Sequence, residues 1–270
     1  MSNAVAKRTD QKVSAFLEAH GAKLQSALPQ HCSIERIARV AVQEISGNAK
    51  LQACTAPSLV RSIITASTLG LEIGSTLGQA YLVPYKTTCT FIPGYKGLIS
   101  LAINAGNVSK IYAEIVCEND EIYVQYGTDK KIDHKPKVFG DRGKMIGAYA
   151  VYVLKDGTFD FEIMTAEEIN AIRDRSPGGR SGPWKTDYNE MARKTVIRRL
   201  SKRIPMSAEK TIAERQFHAA VQIDNAAAVG EQADVSDTID VTAVAIVEEI
   251  EAAEKSSTSA APSLPPQTQQ

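Results

Sequence analysis

Catalytic apparatus is what this chain lacks most. Its four histidines, His20, His31, His134 and His218, are scattered, and neither GxSxG nor HExxH occurs. Cys32, Cys54, Cys89 and Cys117 stand 22, 35 and 28 positions apart, with no CxxC pair and no His–Cys cluster. Such spacing suggests neither a zinc site nor a disulfide framework, and reduced thiols are expected. No apolar run approaches the ~18 residues of a membrane span, and no signal-peptide pattern opens the chain. A soluble cytoplasmic protein without metal or cofactor is the expectation. A phosphate-cradling loop is missing too. Gly70, Gly74 and Gly78 recur every fourth residue in GLEIGSTLGQAYLVPY, but no GK[ST] follows. These glycines instead let the backbone turn tightly out of a helix and into a strand.

Net charge is also absent, although the average misleads. Lysine and arginine number 31, and aspartate and glutamate also number 31. From Asp224 to the end there are nine acids and one base, Lys255, a net of −8, which leaves 30 bases and 22 acids before it, a net of +8. The sequence divides accordingly. Residues 1–12 read as a polar, disordered arm and residues 13–223 as one basic domain. Residues 224–270 read as a flexible acidic tail, low in complexity from 255 onward. Within the tail, Val241 to Ala253 alternates apolar and acidic residues and suits a short helix formed on a partner.

Periodicity predicts helices over Val13–Ala27, from Ser33 to Gly47 and from Thr55 to Gly70, the last with Pro57 in its first turn. A hairpin follows, Gln79–Tyr85 with Cys89–Ile92, and then a helix over Tyr95–Ala105. Strand-like stretches run Ile111–Val116, Ile122–Tyr126, Met145–Leu154 and Phe159–Met164, the last two joined by an Asp156-Gly157 turn. Lys130 to Lys144 reads as a basic loop, either a flap or simply solvated. Thr165 with Glu168 is a capping box. Ser207 opens a last helix. Helices around short hairpin-connected strands make an α+β domain with a small antiparallel sheet.

The densest signal is GPWKTDYNEMARKTVIRRLSKRIP, Gly182 to Pro205. Arg193, Lys194, Arg198, Arg199, Lys202 and Arg203 fall within eleven positions, and no acid appears between Glu190 and Glu209. On a helix capped at Thr186 or Asp187 and stopped by Pro205, Lys194, Arg198 and Lys202 form one stripe. Arg199 and Arg203 widen it, and Val196, Ile197, Leu200 and Ile204 take the opposite face. About five like charges would then face outward, an arrangement that a polyanion neutralises. Arg193 lands on the apolar side, where an internal ion pair is expected. Before the helix, Arg180 lies in a glycine-rich loop, and Trp184, the one tryptophan, adjoins Lys185. Trp184 can stack a base beside the Lys185 ammonium, or anchor the helix start. Tyr95 and Lys96 open their helix where backbone amides favour an anion, as a second DNA contact or a structural element.

Asp160 and Glu162 alternate in a strand and so share one face, as in a metal nuclease. No lysine follows two residues after Glu162, and Phe159 and Phe161 suit an ordinary half-buried strand. A structural phage or scaffold protein, whose basic helix only packs on acidic neighbours, is the other alternative.

Three runs, LGLEIGSTLGQAYLVPY, FIPGYKGLISLA and GPWKTDYNEMARKTVIRRL, occur in that order, and together they resemble the RecT family of phage and prophage single-strand annealing proteins. The resemblance covers roughly residues 20–222, leaving out the arm and the acidic tail. It implies ATP-independent annealing of complementary DNA in a bacterial host cell, without catalysis by the protein itself. It also implies a homo-oligomer, ring or helical filament, holding single-stranded DNA and the annealed duplex in a basic groove. The expected partners are a 5′→3′ exonuclease and host single-strand-binding protein.

Overall fold

Apolar residues every third or fourth position make the first part of the chain helical. The computed structural model describes residues 2–28, 33–74, 77–176, 179, 183–205, 211–231 and 233. The helices are α1 (Ser2–Ala19), α2 (Gly21–Ala27), α3 (Ile34–Gly47), α4 (Ala49–Gln52) and α5 (Ala56–Thr68). α1 begins well before Val13 and takes in the stretch expected as a disordered arm. α1 packs on α3 and α5, burying Val13, Leu17, Ala41, Ile45, Leu59 and Ile63. Gly70 follows α5 with φ +72°, the left-handed turn that glycine permits at this position.

A hairpin comes next, β1 (Ala80–Tyr85) and β2 (Thr88–Pro93). Its tip belongs with the helices above. Ser58 Oγ accepts from Cys89 N at 2.9 Å, and Ser62 Oγ donates to Cys89 O at 3.1 Å. Burial pushes the Cys89 thiol up to about 12. Cys54, Cys89 and Cys117 are all buried and free, while Cys32 lies outside the described residues.

The second compact unit comprises Leu71–Tyr81 and Phe91–Thr238. It contains α6 (Tyr95–Asn104), β3 (Val108–Cys117), β4 (Glu121–Gln125), β5 (Lys131–Lys135), β6 (Met145–Leu154), β7 (Phe159–Thr165) and α7 (Ala166–Arg175). After these come α8 (Pro183–Thr186), α9 (Tyr188–Ser201) and α10 (Ile212–Val229). β3, β6 and β7 form an antiparallel sheet in that order, and β4 pairs with β5 as a separate ribbon. The strand β5 lies inside the stretch read as a basic loop. Two-residue alternation gives the sheet two faces. Val116, Tyr149, Val151 and Phe161 pack under Ile122, Val124 and Ile132 of the ribbon. α9 packs against β6, β3 and β7, with α6 and α10 beside it. The α+β architecture with small antiparallel sheets is therefore the observed one.

Two local features go beyond the periodicity. A Cβ at Gly94 or Gly97 would collide with the carbonyls of Gly78 and Gln79, so glycine is required for α6 to seat on that backbone. α10 opens at Thr211 with a full capping box to Glu214, and runs past Asp224 to a left-handed Gly230 at φ +80°. Ser207, the expected start, lies outside the described residues. Asp224 belongs to this helix and not to the tail. Val241 to Ala253 also lies outside the described residues.

Candidate nucleic-acid interface

α9 is shorter than the basic run that encodes it. It ends at Ser201, and Lys202 and Arg203 continue in a turn stabilised by Arg203 N donating to Leu200 O. Ala192, Val196, Ile197 and Leu200 are fully buried, fixing the face that meets the sheet.

The cations do not form an open like-charge stripe, which corrects the helical-wheel expectation. Lys194 Nζ lies 2.7 Å from Asp224 Oδ1 and donates to Pro93 O at 2.9 Å. Arg198 Nη1 lies 3.7 Å from Asp224 Oδ2, an oxygen with no hydrogen bond of its own. The side chains of Lys194 and Arg198 are only 15% and 14% exposed, and that of Asp224 is 2% exposed. These two cations neutralise a buried carboxylate. One of their two charges is offset there, and both side chains are mostly buried.

Arg199 and Arg203 are held differently. Arg199 contacts Glu162 through Nε at 2.9 Å and Glu168 through Nη1 at 2.8 Å. Arg203 spans two carboxylates, Glu162 at 2.6 Å and Asp160 at 2.7 Å. Lys130 meets the other oxygen of Asp160 at 2.8 Å. The Arg199 hydrogen bond, helped by the Thr165 N–H, holds the Glu168 carboxyl below its ordinary range. Burial opposes ionisation of Asp160, but Lys130, the Phe161 N–H and Arg203 outweigh it and lower its pKa. A guanidinium carries five donors in a rigid fork. Arg199 and Arg203 are therefore oriented by carboxylates, stay at the surface, and keep donors for a further anion. Arg203 lies across both Asp160 and Glu162, so both carboxylates of the pair are engaged in ion pairs.

Lys202 is exposed and makes no ion pair among the described residues. Lys96 and Lys185 are exposed as well. Arg193 pairs with Glu190 at 2.7 Å and with Glu114 at 3.5 Å, on the side of the helix toward β3. Burial, followed by the neighbouring Glu190 carboxylate, pushes the Tyr95 hydroxyl upward. Trp184 is buried, its ring centroid 6.1 Å from that of Tyr188. Buried there, it packs at the start of α9. Arg180 lies outside the described residues.

Apart from Glu190 on α9 itself, the partner carboxylates come from β3, β7, α7 and α10. No local sequence pattern announces those four sources, because each is brought in by tertiary packing. The one available signal was the alternation of Asp160 and Glu162 on a strand.

The RecT family profile matches residues 35–238. Protein RecT of Escherichia coli is 42% identical over 195 residues, which cover 69% of this chain and 72% of that protein. The uncharacterized protein YqaK of Bacillus subtilis is 29% identical over 195 residues, covering 70% of this chain and 65% of its own length. All three motifs fall inside the profile match, as does the whole of the sheet with α9 packed on it and α10 beside α9. The chain belongs to the RecT family.

Proposed function

We propose that this chain anneals complementary single strands of DNA without nucleotide hydrolysis, in phage-type recombination. The observation that carries the reading is the cluster of Arg199, Lys202 and Arg203 at the end of α9 in a RecT-family chain. Two arginine forks are held at the surface by carboxylates, next to the exposed Lys202, which forms no ion pair among the described residues. Such a cluster suits phosphates, which carry no sequence information and leave base edges free for pairing. Lys96 and Lys185 add two further exposed cations. Lys194 and Arg198 support the surface from within, and Trp184 anchors it.

A single protomer offers few phosphate contacts, so the strand is held by a homo-oligomer, ring or filament, in which weak contacts add along the DNA. Base pairing supplies both specificity and driving force. A 5′→3′ exonuclease provides the single strands. The acidic segment, counted from residue 231 once Asp224 is assigned to α10, carries eight acids and one base and is the natural site for partner proteins. The reading is tested by a strand-annealing assay on complementary oligonucleotides without nucleotide, with electron microscopy of the product. No acceleration over protein-free DNA would overturn it.

A further inference from the structure

Annealing needs a place for the incoming strand as well as for the one already held. The ribbon β4–β5 and the loop after it carry features that the α9 cluster does not explain. Phe139 is 88% exposed and Val138 is 76% exposed, the most exposed apolar side chains among the described residues. They project from a loop that is firmly built at its base. Asp120, its side chain fully buried, accepts from Lys137 N at 2.9 Å and from Arg142 Nε and Nη2 at 3.0 and 2.6 Å. It also accepts from Cys117 N at 2.8 Å and contacts His134 Nε2 at 3.3 Å. On the far side of the tip, Glu118 N donates to Lys144 O at 2.9 Å, and Asn119 N donates to Arg142 O at 3.0 Å. Both legs of the loop are clamped, and only Val138, Phe139 and Gly140 stand free of the clamp.

The surroundings of the tip are basic. Lys135 to Lys144 contains Lys135, Lys137, Arg142 and Lys144 against Asp141 alone. Arg142 is neutralised by Asp120, while Lys135, Lys137 and Lys144 are exposed. Lys135 has only a 3.8 Å contact with Glu121, between two side chains 69% and 83% exposed, which screening makes weak. Two apolar side chains are far too few for a protein interface, which buries about 1,000 Å² or more. A base needs only one aromatic face with cations near its phosphate. Lys130, at the start of β5, reaches Asp160 and through it Arg203. The tip lies at the other end of that strand, beyond five residues or about 16 Å of chain. It is thus separate from the first cluster.

We propose that the Val138–Phe139 tip captures the second single strand of DNA, stacking one of its bases on Phe139 while Lys135, Lys137 and Lys144 meet the adjoining phosphates. Stacking uses the base face and leaves its pairing edge open, as a strand testing for complementarity requires. The inference rests on the annealing reading above.

The test uses the full chain and two complementary oligonucleotides added in sequence. Phe139→Ala should slow annealing of the second strand about tenfold, the scale of one lost base stack, while leaving affinity for the first strand unchanged. Phe139→Tyr should restore the rate. Bromouracil placed in the second strand should crosslink to the peptide containing Phe139, and bromouracil in the first strand should not. A Phe139→Ala chain that anneals at the wild-type rate would overturn this inference and leave the annealing reading standing. Loss of self-association in both Phe139 variants would assign the tip to a neighbouring copy and also overturn it. A wild-type chain that binds no single strand at low salt would overturn both.

Discussion

Lys194 Nζ stands 2.7 Å from Asp224 Oδ1, joining the basic helix to the helix that follows it. With Arg198 on the other oxygen, the buried carboxylate is matched by two cations. Removing one partner from such a cluster leaves an uncompensated buried charge. Asp224→Ala should therefore destabilise the domain by about 3 kcal/mol. Urea unfolding of the full chain measures this. A loss within error of zero would mean that Asp224 does not hold α10 against α9.

Lys202 has no such duty, and it separates DNA binding from stability. Each phosphate contact contributes about 0.7 to the salt slope for single strands. Lys202→Ala should lower the slope by about that amount, equally for all sequences, with no change in melting temperature. Arg203→Ala should lower both, because Asp160 and Glu162 lose their shared partner. Salt titrations of oligonucleotide affinity, paired with thermal melts, distinguish the two. An unchanged slope in Lys202→Ala would place the DNA elsewhere.

Elements whose cause is local could be read from the residues alone. Met145–Leu154 was bounded as observed, and the Thr165–Glu168 box forms both of its hydrogen bonds. Gly70 takes the left-handed conformation that ends α5. What escaped depended on distant residues. β5 alternates Ile132 and His134 against lysines and aspartate, a pattern that reads as loop until β4 lies beside it. The basic run looks like an outward stripe because the acids that pair with it sit on three other elements, β7, α7 and α10. Thr211–Glu214 is the exception: this capping box is entirely local, and it starts α10 later than Ser207.

Acid should act on the clamp beneath Phe139 in a defined direction. Hydrogen bonds from Arg142, opposed by burial and reinforced by the Lys137 and Cys117 N–H groups and by His134, hold the Asp120 carboxyl far below its ordinary range. Its folded value lies below its unfolded one, so its contribution to stability is complete above the ordinary carboxylate range of about 4. That contribution is lost only as pH falls further, through the folded value. Hydrogen exchange at Lys137 and Asn119 should stay protected at pH 4, where exposed carboxylates are half protonated. In Asp120→Asn, that protection should already be weak at pH 7. Equal protection in the two chains at pH 7 would remove Asp120 from the clamp.

Trp184 offers an optical test of how the DNA-binding surface is built, since the chain has no other tryptophan. The residue is 8% exposed, and its ring packs beside Tyr188 at the start of α9. A buried indole fluoresces toward the blue and is shielded from iodide. Saturating single-stranded DNA should therefore leave its emission nearly unquenched, because bases meet cations on the surface and not this ring. Trp184→Phe should retain most of the binding and stability. Trp184→Ala should cost about 3 kcal/mol through the cavity it leaves. Its weaker DNA binding should follow from the loosened helix start and recover at lower temperature. Strong quenching of wild-type emission by oligonucleotide would show that a base reaches Trp184, and would return it to the contact surface.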